Sequence, residues 1–274
     1  MTPRIFLSNI GANSSHRYFS PLFPDGTFEL LPIPDTPQDA GPHSVKLADV
    51  PLKNPANGRA TDWIPERLHG VAAHHDPEFD TLTYGDNCER GARAVALKKA
   101  VPGDLILFLA RLQPHDGTAT QGEAAFFLIG MLEIESILPS VYDRPSGEQL
   151  ARFGANAHVR KGLNDPANWD GFWVFAGTPR SSRFERAVPF DRALCDAVMR
   201  TAAGMPWHWD GPRSELQVIG SYTRTCRVIL SPEQPDYESR VAGLYARIEM
   251  YNSGLMRQTL RQKRGTKCRA NQKY

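Results

Sequence analysis

Between His74 and Asp86 the chain reads HHDPEFDTLTYGD, which places His74, His75, Asp76, Glu78, Asp80 and Asp86 within thirteen positions. Imidazoles beside carboxylates supply either a general acid–base pair or ligands for a divalent metal. The spacing is not H-E-x-x-H, and Pro77 prevents a regular helix from aligning His74 with His75, so no metal site is assigned from the sequence. His75, Asp76 and Asp86 stand as the catalytic candidates of this segment. The competing reading is a polar loop, with Asp76 turning the chain before Pro77 and Asp86 spent as a helix cap. Gly85 lets the backbone approach either a ligand or a packed neighbour, which makes Tyr84 beside it a candidate ligand contact.

Two other polar clusters could join it. In Asn156-Ala157-His158-Val159-Arg160-Lys161, strand alternation would put Asn156, His158 and Arg160 on one face. His158 there is a fourth catalytic candidate. Asn156 and Arg160 offer an amide and a guanidinium suited to a base edge or a phosphate. A solvated loop end is the alternative. The stretch from Ser221 to Arg227 alternates as well, with Ser221, Thr223, Thr225 and Arg227 on one face and Tyr222, Arg224 and Cys226 on the other. Thr223 and Arg224 are its ligand-binding candidates; the alternative is an edge strand kept soluble by charge. Trp207-His208-Trp209 could stack on a base, or serve as a lid of core side chains.

These groups need a scaffold. Ile5-Phe6-Leu7 reads as a first strand. Asp25-Gly26 between Phe23 and Phe28 signals a tight hairpin, and Pro32-x-Pro34 ends the pairing. Residues 35–70, rich in Pro, Asp, Asn and Gly, read as a long surface loop with room for one short helix. Asp86 and Glu89 have capping-box spacing ahead of a helix over 87–100 that Pro102-Gly103 stops. Leu105–Leu109 is a continuous apolar run suited to a strand buried on both faces, and Ala124–Ile134 to a second long strand. Further strands are expected at 171–176, 216–219 and 227–230, and helices at 190–203 and from Tyr237 to about Leu260. The fold class this predicts is α+β, a mixed, mostly antiparallel, partly closed β-barrel with flanking helices. Neither G-x-G-x-x-G nor G-x-x-x-x-G-K-[ST] occurs.

The chain has 274 residues, 41% hydrophobic and 23% charged, enough to bury a core without staples. Its 22 prolines pin many loops and make long helices few. Cys88, Cys195, Cys226 and Cys268 are scattered without C-x-x-C spacing, which favours packing over zinc or redox roles. No apolar run is long enough to span a bilayer, and the first residues do not read as a signal peptide, so a cytoplasmic protein is expected. The net charge of +2 hides a split: residues 255–274 hold seven basic side chains and no acid, leaving 25 basic and 30 acidic residues before them. Residues 1–254 are therefore expected to form one globular domain. The tail, with Arg257, Arg261, Lys263, Arg264, Lys267 and Arg269, is expected to stay disordered until it meets nucleic acid.

Several blocks occur in an order that resembles a known family: S-P-L-F-x-D-G-x-F-E-x-x-P-I-P-D (Ser20 to Asp35), H-D-P-E-F-x-T-x-T-Y-G-D (His75 to Asp86), G-D-L-I-L-F-L-A-x-L (Gly103 to Leu112), F-L-I-G-M-L-E-I (Phe127 to Ile134), N-A-H-V-R (Asn156 to Arg160) and G-S-Y-T-R-T-C-R-V-I (Gly220 to Ile229). Over residues 4–230 the chain resembles the nucleotide modification associated domain 3 family. The name implies association with systems that modify nucleobases in DNA, and assigns no reaction. The family's first block tends to carry an acid after its glycine; Gly11-Ala12-Asn13 carries Asn, which argues against a catalytic acid there. More loosely, a G-D-L-x-x-F strand after a helix is similar to the barrels of PUA, ASCH and EVE-type domains, which bind nucleic acids or modified bases. Fold likeness does not fix function. The resemblance implies a nucleic-acid-associated protein that recognises or helps process a modified nucleobase or nucleotide in a barrel pocket. The alternatives are an enzyme, metal-dependent or not, acting through His74–Asp86, and a non-catalytic structural subunit. Cofactor and oligomeric state are not legible in the sequence.

Overall fold

In the computed structural model the described residues are 2–36, 40–201, 204–209 and 211–253. The fold is α+β, built on a mixed, mostly antiparallel eight-stranded sheet. At its middle, β1 (Ile5–Ile10) runs parallel to β6 (Leu105–Pro114), in register from Ile5↔Leu105 to Ile10↔Ala110. The apolar run of β6 is buried on both faces, as its continuity requires. Leu105, Leu107 and Leu109 pack under helices α3 (Arg192–Val198), α4 (Glu215–Tyr222) and α5 (Tyr237–Tyr251), while Ile106, Phe108 and Ala110 face the other way. β10 (Arg227–Leu230) pairs antiparallel with the free edge of β1, and β2 (Ser20–Leu22) extends along β6.

The long strand β7 (Ala125–Val141) turns the sheet. Its first half pairs with β6 on one edge and β9 (Ser182–Pro189) on the other; its second half pairs with β8 (Phe172–Gly177), which carries β5 (Thr83–Asp86) at the far edge. Register shifts in these pairings near Leu128/Gly130, Ile134/Ser136 and Leu138/Val141 mark bulges, which bend a strand and increase its twist. At Gly130 a Cβ would sit 2.6 Å from the Phe79 ring, so only glycine lets that ring seat inside the bend. The sheet curls far enough that Tyr84 on β5 hydrogen-bonds Ser8 on β1 at 2.7 Å, although β6, β7 and β8 stand between them. No backbone pairing joins β5 to β1 among the described residues, so the sheet is curled but not closed into the expected barrel. Phe6, Tyr84, Phe108, Ile129 and Phe175 fill the concave side. Helices α1 (Gly147–Phe153) and α2 (Ala157–Asn164) cover the opposite face of β8 through Phe153, Val159, Phe172 and Val174.

Several local expectations are corrected. No α-helix spans 87–100: turns lead to a single 3-10 segment at Val95–Lys99. Gly91 weakens helix there, and the supposed capping pair is committed elsewhere. Asp86 belongs to β5, and Glu89 accepts from Lys98, Ser140 and Trp173. Residues 216–219 are helix rather than strand, because Ser214 and Gln217 form a reciprocal capping box at the start of α4. The helix at 190–203 shortens to α3, capped by Asp191. Residues 40–70 are four one-turn 3-10 segments with a small core of their own, where Leu47, Val50, Ala60 and Ile64 pack on Tyr18 and Leu31. A short ladder, β3 (Ile33–Pro34) with β4 (Ala73–His74), closes this strap against the sheet. The expected hairpin at Asp25-Gly26 is present, with Gly26 at φ +85° and Leu22 opposite Phe28. Cys88, Cys195 and Cys226 are buried free thiols. No helix among the described residues is long and apolar enough to cross a membrane. The basic residues from Arg257 to Lys273 lie outside the described residues.

Candidate functional site

Where the end of β1 faces β5 across the curl, a cleft of about 440 Å³ opens. The end of β1 and its loop contribute Asn9, Gly11, Asn13 and His16, β4 and the residues after it contribute His74 and Asp76, and β5 contributes Tyr84, Gly85 and Asp86. Arg93, His158 at the start of α2, and Thr223 with Arg224 in the turn after α4 complete it. A larger hollow, about 920 Å³, lies between the strap and the end of β6, lined by Tyr18, Trp63 and His115 among others; none of the sequence-predicted site residues is in it.

Asp76 and His158 meet over Gly85. A Cβ on residue 85 would stand 2.7 Å from Asn156 Oδ1, 2.7 Å from His158 Cδ2 and 3.0 Å from Asp76 Oδ2, so the glycine is the condition for the approach. Asp76 Oδ2 accepts the Gly85 N–H at 2.8 Å and the Asn156 side-chain amide at 3.1 Å, with His158 Nε2 at 3.9 Å. Asp76 Oδ1 is buried without a hydrogen-bond partner. Burial pushes the Asp76 carboxyl well above the usual carboxylate range, against the pull of the Gly85 and Asn156 hydrogen bonds and with a smaller push from Asp86. Burial, helped by neighbouring His74 and Lys161, holds His158 well below the ordinary imidazole value. The His158 ring lies edge-on to His74, centroids 4.8 Å apart, and against Phe172 at 5.3 Å. His74 Nδ1 stands 3.1 Å from Asp35 Oδ1 but off its hydrogen-bonding direction, while Lys161 donates to the same oxygen at 3.1 Å.

Around this floor the polar groups are held by local chemistry. Tyr84 donates to Asp86 Oδ2 at 2.8 Å, and its buried ring packs edge-on to Phe108 at 5.1 Å. Asp86 Oδ1 accepts the Asn87 N–H. The Thr223 hydroxyl donates to the Ile219 carbonyl at 2.9 Å and accepts from the Asn9 amide at 3.2 Å, which ties the turn after α4 to β1. Arg93 donates to the Asn9 carbonyl, and Arg224 is exposed at the rim.

The structure thus brings together Asp76, Tyr84, Asp86, His158, Thr223 and Arg224, and sets the other sequence candidates apart. His75 faces away to Glu78, with Nδ1 and Oε2 3.5 Å apart, and does not line the cleft. Asn156, His158 and Arg160 are not a strand face: Asn156 is the N-cap of α2, accepting the His158 N–H, and supports Asp76 from behind. Arg160 folds back on the Ala155 carbonyl at 2.6 Å. Thr223 and Arg224 reach the cleft from a turn, not from an alternating strand, which begins only at Arg227. Trp207 packs edge-on to Tyr222 at 4.8 Å and Trp209 donates to Asp196, so both belong to the covering of the helical side. Sequence reasoning missed His74 as the partner of His158, and missed Asn9, Asn13 and Arg93. One signal for Asn9 and Asn13 is available: they leave the carboxyl end of a strand with a parallel neighbour, where open sheets commonly place ligands.

No curated protein and no solved structure matches this chain. One family model does, over residues 4–207, a span that contains every cleft residue from Asn9 to His158 and ends before Thr223 and Arg224. On that match the chain belongs to the nucleotide modification associated domain 3 family.

Proposed function

We propose that the cleft between β1 and β5 receives a nucleobase or nucleotide, which this cytoplasmic protein recognises or helps process during nucleobase modification. The observation that carries the reading is convergence. Asn9, Asp76, His158, Thr223 and Arg224 come from distant parts of the chain and line one hollow whose volume suits a small-molecule ligand. The amides of Asn9 and Asn13 and the Thr223 hydroxyl match the mixed donors and acceptors of a base edge, and the Arg224 guanidinium at the rim suits a phosphate. The body before residue 255 carries five more acids than bases, which disfavours a long duplex footprint and permits a mononucleotide or a single flipped base. The basic tail would then add sequence-independent grip on a polynucleotide. A second reading, an enzyme acting on the same ligand, is favoured by the buried imidazole–carboxylate pair on the cleft floor.

Calorimetric titration of the full chain with nucleoside monophosphates and short oligonucleotides, modified and unmodified, tests the reading. Arg224→Ala is expected to weaken binding about tenfold or more, the scale of one hydrogen bond to a charged group. Removing residues 255–274 is expected to lower oligonucleotide affinity and its salt dependence while sparing the mononucleotide. Absence of binding by every member of the panel, or binding indifferent to Arg224, contradicts the proposal.

A further inference from the structure

We propose that His74, Asp76 and His158 bind one divalent transition-metal ion on the floor of the cleft, with open coordination positions facing the hollow. One ligand atom from each of the three side chains lies within 4.8 Å of the others. The histidines that meet are His74 and His158, 84 positions apart and joined only by the fold, not the adjacent pair His74 and His75.

Three further observations point to a ligand here. Asp76 Oδ1, in this cluster, is one of the few buried side-chain polar atoms without a hydrogen-bond partner among the described residues. A buried polar atom left without a partner is costly, so this one is explained by a partner that completes the site. The Asp76 side chain is 2% exposed, and the residue nonetheless lines the cleft. The cluster is also braced from outside, as metal ligands are. Gly85 and Asn156 hold Asp76 Oδ2, Phe172 packs on the His158 ring, and Asp35 stands beside His74 Nδ1.

Two imidazoles with one carboxylate suit zinc, iron(II), cobalt or nickel rather than calcium or magnesium, which prefer all-oxygen shells. Ligand atoms about 2.1 Å from an ion lie roughly 3–3.5 Å from one another, so loading must draw the three side chains together by about an ångström. The remaining positions are open to water or to a ligand in the cleft. The site stands whether or not a nucleotide is that ligand.

The test uses the full chain, stripped with chelator and titrated with Zn²⁺ alone and Co²⁺ alone, with no nucleotide present. The expected result is one equivalent bound, a metal-induced rise in Tm, and visible cobalt absorption. His74→Gln, Asp76→Asn and His158→Gln are each expected to weaken binding by about 100-fold or more, beyond what loss of an outer partner causes. His75→Gln is expected to bind as the natural protein does. Should the three variants fail to fold, X-ray absorption of the cobalt-loaded natural protein decides, and a shell with two imidazoles supports the assignment. Binding below one equivalent, unchanged affinity in the three variants, equal loss in His75→Gln, or a shell without imidazole overturns it. None of these outcomes bears on nucleotide binding by the metal-free protein.

Discussion

Glu29 and Asp76 are two carboxylates buried to the same degree, each 2% exposed at the side chain, and they are treated in opposite ways. Glu29 fastens the strap to the sheet. Its Oε1 accepts the Asn54 N–H and the Asn57 amide, its Oε2 accepts the Lys53 N–H, and Arg183 stands 3.6 Å away. Both oxygens are spent on structure. Asp76 gives one oxygen to Gly85 and Asn156 and keeps the other bare beside the cleft. A buried carboxylate is tolerated when paired and hydrogen-bonded, as both oxygens of Glu29 are, whereas Asp76 Oδ1 has no hydrogen-bond partner among the described residues. The two sites show how a fold separates an acid that holds a segment in place from one left free to meet something.

The largest expected effect tests that contrast directly. Glu29→Ala strips three donors of their acceptor and leaves Arg183 without its charge partner, and should destabilise the protein by about 3–5 kcal/mol in denaturant unfolding. Asp76→Asn, which replaces a half-satisfied buried carboxyl group with an amide of the same shape, should shift stability by less than about 1 kcal/mol in either direction. Equal losses from the two substitutions would erase the distinction.

An intermediate effect is expected at Gly85. Gly85→Ala drives a methyl group into Asn156, His158 and Asp76, and overpacking of this kind destabilises by about 1–3 kcal/mol. Cleft binding should be lost with it. Gly147→Ala, at a helix start where nothing lies within 4 Å of the added carbon, should leave both stability and binding intact. Binding that survives Gly85→Ala would mean that the Asp76–His158 approach is incidental.

The smallest effect concerns a carboxylate that is held without being buried. Glu89 accepts from Lys98, Ser140 and Trp173, which lower its pKa from 4.5 to about 2. Its folded value is depressed, so its contribution is present above the unfolded pKa and fades as pH falls from about 4.5 towards 2. Glu89→Gln should flatten that acid limb of the stability profile and leave stability near neutral pH only slightly reduced. An unchanged acid limb in Glu89→Gln would show that these three donors do not hold the carboxylate.

Much of the scaffold was legible. β1, β6, the first part of β7, β8 and β10 follow from apolar runs, and the turn at Asp25-Gly26 follows from its need for positive φ. Curvature was not, because it depends on where bulges fall along a strand of 17 residues. The alternation at Ser221–Arg227 suits a strand on paper, but Val218, Ile219 and Tyr222 are buried on one side of a helix that Ser214 and Gln217 start. A second box of the same S-x-x-Q form, Ser146 with Gln149, starts α1, so both helices were readable from their caps. Asp76, His158 and Arg224 were found by residue type, while their supports were misread: Asn156 is a cap and Arg224 sits in a turn. The pairing of His74 with His158 had no local signature, since contact between such distant positions exists only once α2 docks beside β5 over Gly85.

The central claim, that the hollow between β1 and β5 is where this protein meets a nucleotide, is tested most directly by a crystal structure of the full chain with the tightest-binding nucleotide diffused in. The account predicts the base between Asn9 and the Asp76–His158 floor, with its phosphate towards Arg224. A nucleotide bound elsewhere on the molecule, with this cleft filled only by solvent, would contradict it.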